Sequence, residues 1–213
     1  MTSENIRDPV NDQLLTPQNS ALIIIDYQPV QVTSVASMDR QKLVSNVVAV
    51  ARTAKLYGLP IVLSTVNVKT GKNQPTIHQL QEILSGVESF DRTTINAWED
   101  VEFNKAVKAT GRKKLIMAAL WTEACLTFPA LDALHEGYEV YPVVDAVGGT
   151  SLEAHRAALE RIVQAGAWPV SWVQLICELQ RDWQRKDTAQ EFASILFAVE
   201  GVFVESKEAR KAA

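Results

Sequence analysis

The run Ala21-Leu22-Ile23-Ile24-Ile25-Asp26 is apolar for five residues and ends on a carboxylate. A strand of this composition is typical of a parallel sheet that is covered by helices on both faces. Similar apolar runs recur along the chain and alternate with amphipathic stretches of helical period, such as residues 39–57. This alternation predicts βαβ units with right-handed crossovers.

The same pattern, followed outward from that strand, predicts an α/β fold. We expect a three-layer, Rossmann-like sandwich in which helices cover both faces of a six-stranded, mainly parallel sheet. The strands are expected at residues 21–26, 60–66, 87–92, 114–120, 138–144 and 168–172. The helices are expected at residues 39–57, 76–84, 102–110, 126–135, 151–164 and 173–183. Since no Pro-, Gly- or Ser-rich linker divides the chain, we expect one domain over residues 1–186, then a helical segment and tail over residues 187–213.

The composition of the 213-residue chain narrows the classes of partner and compartment. A net charge of −4 provides no electrostatic attraction for nucleic acid. The polar amino terminus lacks the apolar core of a signal peptide, and no apolar run approaches the ~20 residues that span a bilayer. The two cysteines, Cys125 and Cys177, lie far apart and form no disulfide framework. We therefore expect a cytoplasmic protein with neither a nucleic-acid nor a membrane partner.

Three reactive side chains follow predicted strands, at the edge where doubly wound sheets hold their ligands. Asp26 ends the first strand, Arg92 ends the third, and Cys125 follows the fourth as a helix begins. A thiol at a helix N-terminus meets the positive end of the helix dipole, which lowers its pKa, and a nearby cation lowers it further. The pattern predicts a thiolate nucleophile at Cys125, with a carboxylate to handle protons and backbone N–H groups to stabilise an oxyanion.

Three short motifs surround these side chains: Asp26-Tyr27-Gln28, the stretch of residues 92–98 (RTTINAW), and residues 120–125 (LWTEAC). In this order they resemble the isochorismatase-like cysteine hydrolase superfamily. Within it they are most similar to a branch of small oligomeric hydrolases related to nicotinamidase and N-carbamoylsarcosine amidohydrolase. The likeness runs from about residue 18 to residue 186, and the Thr-Glu-x-Cys motif is its more specific part.

The resemblance implies a covalent mechanism. Cys125 would attack a carbonyl carbon and form a thioester, and Asp26 would carry the thiol proton to the leaving group. The N–H groups of Trp121 and Cys125 would form the oxyanion hole, next to a cis peptide bond between Leu120 and Trp121. Arg92 stands where many members carry Lys. Because arginine does not release its proton at neutral pH, it would only orient Asp26 and stabilise negative charge.

The same motifs supply candidate pocket residues. We expect the substrate pocket to be lined by Gln28, Asn96, Trp98, Thr122 and Phe128. Apolar walls exclude water and suit a small, uncharged or aromatic amide. We expect no metal and no other cofactor, because Gln28 replaces the histidine of the Asp-x-His pair found in some relatives and the three histidines of the chain lie far apart.

Three functions fit these residues. The first is a cysteine hydrolase that cleaves the C–N bond of a small amide through a thioester. The second is a thiol-based redox or detoxifying protein, although no cysteine lies near Cys125 in sequence and Cys177 is expected to be a packing residue in an apolar helix. The third is a catalytically silent scaffold in which Arg92 marks the loss of activity. The resemblance also implies a homo-oligomer.

Overall fold

The computed structural model describes residues 7–198 and confirms an α/β fold built on a parallel sheet. Within this range five strands pair in the order β3-β2-β1-β4-β5, and every pair is parallel. The strands are β1 (Ser20–Ile25), β2 (Ile61–Val66), β3 (Ser89–Arg92), β4 (Lys114–Ala119) and β5 (Glu139–Pro142).

Helices connect the strands. They are α1 (Pro29–Thr33), α2 (Arg40–Leu56), α3 (His78–Ile83), α4 (Val101–Ala109), α5 (Thr127–His135), α6 (Leu152–Gln164), α7 (Trp172–Gln180) and α8 (Ala189–Ala198). A short 3₁₀ turn at Ala97–Glu99 precedes α4. A π-helical turn at Thr122–Leu126, called the 122–126 turn below, connects β4 to α5.

Side-chain alternation along the central strand divides the core into two layers. All six residues of β1 are buried. Leu22 and Ile24 belong to one apolar cluster, together with residues of α2, α3, α7 and α8. Ala21, Ile23 and Ile25 belong to a second cluster, together with residues of α4, α5 and α6. Because successive residues of a strand point to opposite faces, the two clusters lie on the two sides of the sheet.

Helix boundaries follow local signals in the sequence. Asp39 caps α2 by accepting a hydrogen bond of 2.9 Å from the Lys42 N–H, and Ser151 caps α6 by accepting one of 3.0 Å from the Ala154 N–H. Gly58, with φ +65°, follows the end of α2 in a left-handed conformation that glycine adopts without a steric cost. The helices expected at residues 39–57 and 151–164 therefore begin at their capping residues.

The sixth predicted strand, at residues 168–172, is wrong. Val170 forms only an isolated parallel bridge with Val143, supported by hydrogen bonds of 2.9 and 3.0 Å to Val144 and Pro142. The segment cannot lengthen toward its carboxyl end because Ser171 already caps α7, accepting a hydrogen bond of 3.1 Å from the Gln174 N–H. One bridge therefore protects the free edge of β5 where a full strand was expected.

The second cysteine does not pack as expected. Cys177 lies on α7 and is exposed. The buried residues of α7 are Trp172, Leu175, Ile176, Leu179 and Gln180, which repeat at helical spacing. Residue 177 falls on the opposite side of that stripe, so its side chain meets solvent.

Helix α8 joins the same core cluster as α2 and α7. Phe192, Ile195 and Leu196 are buried in that cluster, and Arg52 of α2 forms an ion pair of 2.6 Å with Glu191. The rest of the predicted tail, residues 199–213, lies outside the described residues. Across residues 7–198, none of the helices is both long and apolar enough to cross a membrane.

Candidate active site

Strand β1 positions Asp26 at the point where the sheet order reverses. β1 lies between β2 and β4. The strands that follow β1 are added first on one side of it (β2, β3) and then on the other (β4, β5), and this reversal leaves a crevice at the carboxyl ends of the strands. Asp26 adopts φ +60° and is completely buried. A left-handed conformation at a residue other than glycine persists only where the surroundings enforce it, and such residues concentrate at functional sites.

Arg92 reaches this carboxylate from the end of β3, across β2. Its Nη1 donates to Asp26 Oδ1 at 2.8 Å and its Nη2 donates to Asp26 Oδ2 at 2.7 Å. The same two nitrogens donate to the backbone oxygens of Thr65 and Ile95, each at 3.1 Å. Neither the Arg92 nor the Asp26 side chain has exposed surface. A bidentate pair of this kind fixes the plane of the carboxylate.

Cys125 lies in the 122–126 turn, directly beyond β4. The residue keeps 8% of its surface exposed, so it is largely sheltered from solvent. The peptide bond between Leu120 and Trp121 is cis, as predicted. The Trp121 N–H interacts with the Cys125 sulfur, and so do the side chains of Asp26 and Arg92. The three predicted residues therefore meet at one point, although they come from three separate strand ends.

The expectation of a thiolate at neutral pH is wrong. Burial, reinforced by the charge of Asp26, raises the pKa of the Cys125 thiol to about 12. The Arg92 guanidinium and the Trp121 N–H act in the opposite direction but do not compensate for burial. At pH 7 the sulfur is therefore a neutral thiol.

The Gln28 side chain is occupied by the backbone around it. Its amide nitrogen donates to the carbonyl oxygens of Val66 at 3.0 Å and Gln74 at 2.6 Å, and its amide oxygen accepts from the Val66 N–H at 2.9 Å. Both amide protons are thus used, and the side chain is completely buried. Gln28 links the end of β2 to the end of the loop formed by residues 67–75.

Asn96 and Trp98 also have internal partners. The Asn96 side chain accepts from the Trp98 N–H at 3.0 Å and donates to Asp132 at 2.7 Å. The Trp98 indole N–H donates to Glu136 at 2.8 Å, and its ring makes an edge contact with Tyr138 at 5.6 Å between centroids. These contacts attach the segment after β3 to α5 and to Glu136 just beyond its end, so both side chains have partners within the protein.

The remaining pocket candidates differ in exposure. Thr122 is completely buried. Phe128, three residues beyond Cys125 on α5, is 36% exposed. Ile95 is 66% exposed, and its carbonyl oxygen is bonded to Arg92. An exposed apolar side chain so close to a buried ion pair was not singled out from the sequence.

Residues of the β5–α6 connection and of the first turn of α6 also bond to the 122–126 turn, and no site role was predicted for them. Glu123 and Thr122 both bond to residues between Gly148 and His155. The one available signal was the Gly148-Gly149 pair, since adjacent glycines beyond a strand end often mark a close approach of backbone to another group. Among residues 7–198, no cluster of three or more His, Cys, Asp or Glu side chains is arranged to hold a metal ion.

Comparison with known proteins adds to this geometry. The sequence profile of the isochorismatase domain matches residues 20–174. The Escherichia coli protein named probable hydrolase YcaC is 38% identical over 171 residues, covering 80% of this chain and 82% of that protein.

Two crystal structures share the fold over most of the chain. YcaC from Pseudomonas aeruginosa, solved with hexane-2,5-diol and covalent acrylamide, has a TM-score of 0.81 and 36% identity, covering 86% of this chain and 90% of that one. The Escherichia coli YcaC gene product, described as an octameric hydrolase of unknown specificity, has a TM-score of 0.78 and 32% identity, covering 90% and 98%.

Proposed function

The chain belongs to the isochorismatase family, and we propose that it is a cysteine hydrolase that cleaves the C–N bond of a small amide through a thioester. The coarser assignment, a hydrolase of this family, agrees with the name of the Escherichia coli relative. The finer assignment depends on one observation: a sheltered thiol, a carboxylate and a guanidinium converge at the carboxyl edge of the sheet.

In the first half of the proposed reaction, the Cys125 sulfur attacks the amide carbonyl carbon. Asp26 accepts the thiol proton as the S–C bond forms. The sulfur therefore does not have to ionise beforehand, although its pKa is raised to about 12. The carbonyl oxygen gains negative charge and accepts hydrogen bonds from the N–H groups of Trp121 and Cys125. Asp26 then passes the proton to the leaving nitrogen, the C–N bond breaks, and ammonia or an amine departs.

In the second half, water attacks the thioester. Asp26 accepts one water proton and returns it to the Cys125 sulfur as the S–C bond breaks, so that a carboxylic acid and the free thiol are formed. Arg92 exchanges no proton in either half. Its two hydrogen bonds hold the carboxylate in one orientation, and its charge stabilises the anionic intermediates.

Two further observations support a carbon electrophile as the partner of Cys125. The Pseudomonas aeruginosa relative was crystallised with covalent acrylamide, which is an amide and also an electrophile that thiols attack. Cys125 belongs to the cluster on one face of the sheet, whereas α7, which carries Cys177, packs on the other face. Because the sheet separates the two thiols, Cys177 of the same chain cannot resolve an oxidised Cys125, which disfavours the redox alternative.

The test is a screen of small aliphatic and aromatic carboxamides for release of ammonia. We would compare the wild type, Cys125→Ala and Cys177→Ala, the last being a matched loss of a thiol far from the site. Release that depends on Cys125 and not on Cys177, with an acyl adduct on Cys125 detected by mass spectrometry, supports the proposal. Release that survives Cys125→Ala excludes the thioester route, and peroxide consumption without amide cleavage favours the redox protein.

We also propose that the protein is a homo-oligomer. The support is that the Escherichia coli YcaC structure is octameric and shares 32% identity with this chain. Light scattering coupled to size-exclusion chromatography gives the mass directly. A monomeric mass at micromolar concentration would contradict the proposal.

A further inference from the structure

The 122–126 turn is held by the β5–α6 connection and the first turn of α6 through side-chain and backbone bonds. The Thr122 N–H donates to the Gly148 oxygen at 3.0 Å, and the Thr122 hydroxyl bonds to His155 Nδ1 at 2.8 Å. Glu123 Oε1 accepts from both the N–H and the hydroxyl of Thr150, at 2.9 and 2.6 Å. The two residues that immediately precede Ala124 and Cys125 are thus tied to a segment that is distant in sequence.

The carboxylate of Glu123 is packed with little free space. Its Oε2 is buried and has no hydrogen-bond partner within the part of the chain that the structure describes. A Cβ atom built on Gly149 would lie 2.6 Å from this oxygen and 3.1 Å from the His155 backbone nitrogen. A side chain at residue 149 would therefore displace the Glu123 carboxylate from this position.

We infer that Glu123 is a positioning residue for the oxyanion hole: by holding Thr150, it sets the position of the 122–126 turn and therefore the direction of the Trp121 and Cys125 N–H groups. The inference rests on the proposed function and extends it. Glu123 touches neither the substrate nor the sulfur in this proposal. It acts only through the backbone, because Trp121 lies two residues before it and Cys125 two residues after it.

This role differs from the control of the thiol itself. Ionisation of Cys125 depends chiefly on its burial, on Asp26 and on Arg92, and the Trp121 N–H that Glu123 would direct has a smaller effect than these. Alkylation of the sulfur by iodoacetamide develops no oxyanion, whereas addition of the sulfur to a carbonyl group does. Loss of Glu123 should therefore weaken carbonyl addition strongly and alkylation weakly.

Isobutyraldehyde is a probe for the oxyanion hole that needs no knowledge of the substrate. The Cys125 sulfur bonds to the aldehyde carbon, the C=O π electrons move to the oxygen, and the thiol proton ends on that oxygen, giving a thiohemiacetal without a leaving group. Its affinity is measured as protection of Cys125 from iodoacetamide, with intact-protein mass spectrometry as the readout. All variants are made in a Cys177→Ala background, since Cys177 is exposed and would also be alkylated.

We expect Glu123→Ala to weaken aldehyde binding about 10- to 100-fold, the scale on which misplaced oxyanion donors act. The alkylation rate without aldehyde should stay within about threefold of the wild type. Glu123→Gln keeps a carbonyl acceptor for Thr150 and should restore most of the affinity. Glu153→Ala removes an exposed carboxylate from the first turn of α6 and is the matched control, with no effect expected.

Thr150→Val removes one of the two donors to Glu123 while keeping the shape of the side chain, and it serves as a second variant should Glu123→Ala fail to fold. It should weaken aldehyde binding several-fold, about half of the Glu123→Ala effect on a logarithmic scale.

Unchanged aldehyde affinity in the folded variants overturns this inference and leaves the proposed function standing. Parallel losses of affinity and alkylation also overturn it, since they indicate general damage. If the wild type alkylates but binds no aldehyde, the oxyanion hole of the proposed function fails, and the inference fails with it.

Discussion

Arg92 holds both carboxylate oxygens of Asp26, at 2.8 and 2.7 Å, in a place where neither side chain reaches solvent. The two residues end strands that do not touch, because β2 lies between them. The pair is therefore a bridge across the edge of the sheet as well as a part of the proposed site. Its loss should affect both stability and activity.

Replacing Arg92 with Met should lower the free energy of unfolding by about 3–5 kcal/mol, because it leaves the Asp26 charge buried without a partner. Arg92→Lys keeps the charge and should cost less, although it loses the bidentate geometry. Arg7→Met is the control. Arg7 forms an ion pair with Asp12, but its side chain is 53% exposed, so the expected loss of stability is about 0–1 kcal/mol. Urea unfolding measures all three. Equal losses for Arg92→Met and Arg7→Met would contradict the buried pair.

The Cys125 thiol should ionise at unusually high pH. Burial and Asp26 raise its pKa to about 12, so the thiolate fraction should still be rising above pH 10. Asp26→Asn removes a charge that raises this pKa and should move the titration to lower pH, and the proposed amide cleavage should be lost. The difference in ultraviolet thiolate absorbance between wild type and Cys125→Ala follows the titration. A midpoint below pH 8 in the wild type would contradict this assignment.

The same shift predicts a pH dependence of stability. A thiol whose pKa is higher in the folded than in the unfolded chain keeps its proton longer when folded, so its contribution is complete below pH 9 and is lost as the pH rises toward 12. Wild type should therefore lose more stability than Cys125→Ala between these limits. Denaturant unfolding at successive pH values measures the difference, and parallel curves for the two proteins would refute it.

Gln28 should control the loop of residues 67–75. Gln28→Leu leaves the Val66 and Gln74 backbone groups without their partner, at a cost of about 1–3 kcal/mol. The loop should then open more often, and trypsin should cut faster after Lys69 or Lys72. Gln74→Leu is the matched control, because Gln74 is exposed and only its backbone oxygen takes part. Equal cleavage rates in the two variants would show that Gln28 does not hold the loop.

Helix α8 should unfold together with the rest of the domain. Phe192 is buried and makes an edge contact with Trp183 at 5.0 Å, so Phe192→Ala should cost about 3–5 kcal/mol. Val163→Ala, at a residue 42% exposed, should change stability by less than about 0.5 kcal/mol. If the main unfolding transition is unchanged in Phe192→Ala, α8 is a separate unit and not a part of the core.

The sequence was most informative where the determining interactions are local. The apolar run of β1 predicted a doubly covered strand, and Asp39 and Ser151 marked the starts of α2 and α6. The order of strands and polar residues also predicted that Asp26, Arg92 and Cys125 would share one edge. Each of these inferences needs only the period of a strand or helix and the rule for parallel sheets.

The predictions failed where the outcome depends on distant partners. Whether residues 168–172 form a strand depends on how soon Ser171 starts a helix, and both alternatives fit the composition. The pKa of Cys125 depends on burial by residues from several elements, which local position near a helix does not reveal. The hydrogen-bond partners of Gln28 and Glu123 lie far away in the sequence, so these bonds could not be predicted from the residues next to them.

Complete enclosure of the guanidinium–carboxylate pair has a practical consequence. Dissolved ions screen charges at a protein surface over a Debye length of about 8 Å at physiological ionic strength, but they act much less on charges that they cannot approach. Added sodium chloride should therefore leave the attraction between Asp26 and Arg92 almost unchanged, and the stability lost in Arg92→Met should be the same in dilute and concentrated salt.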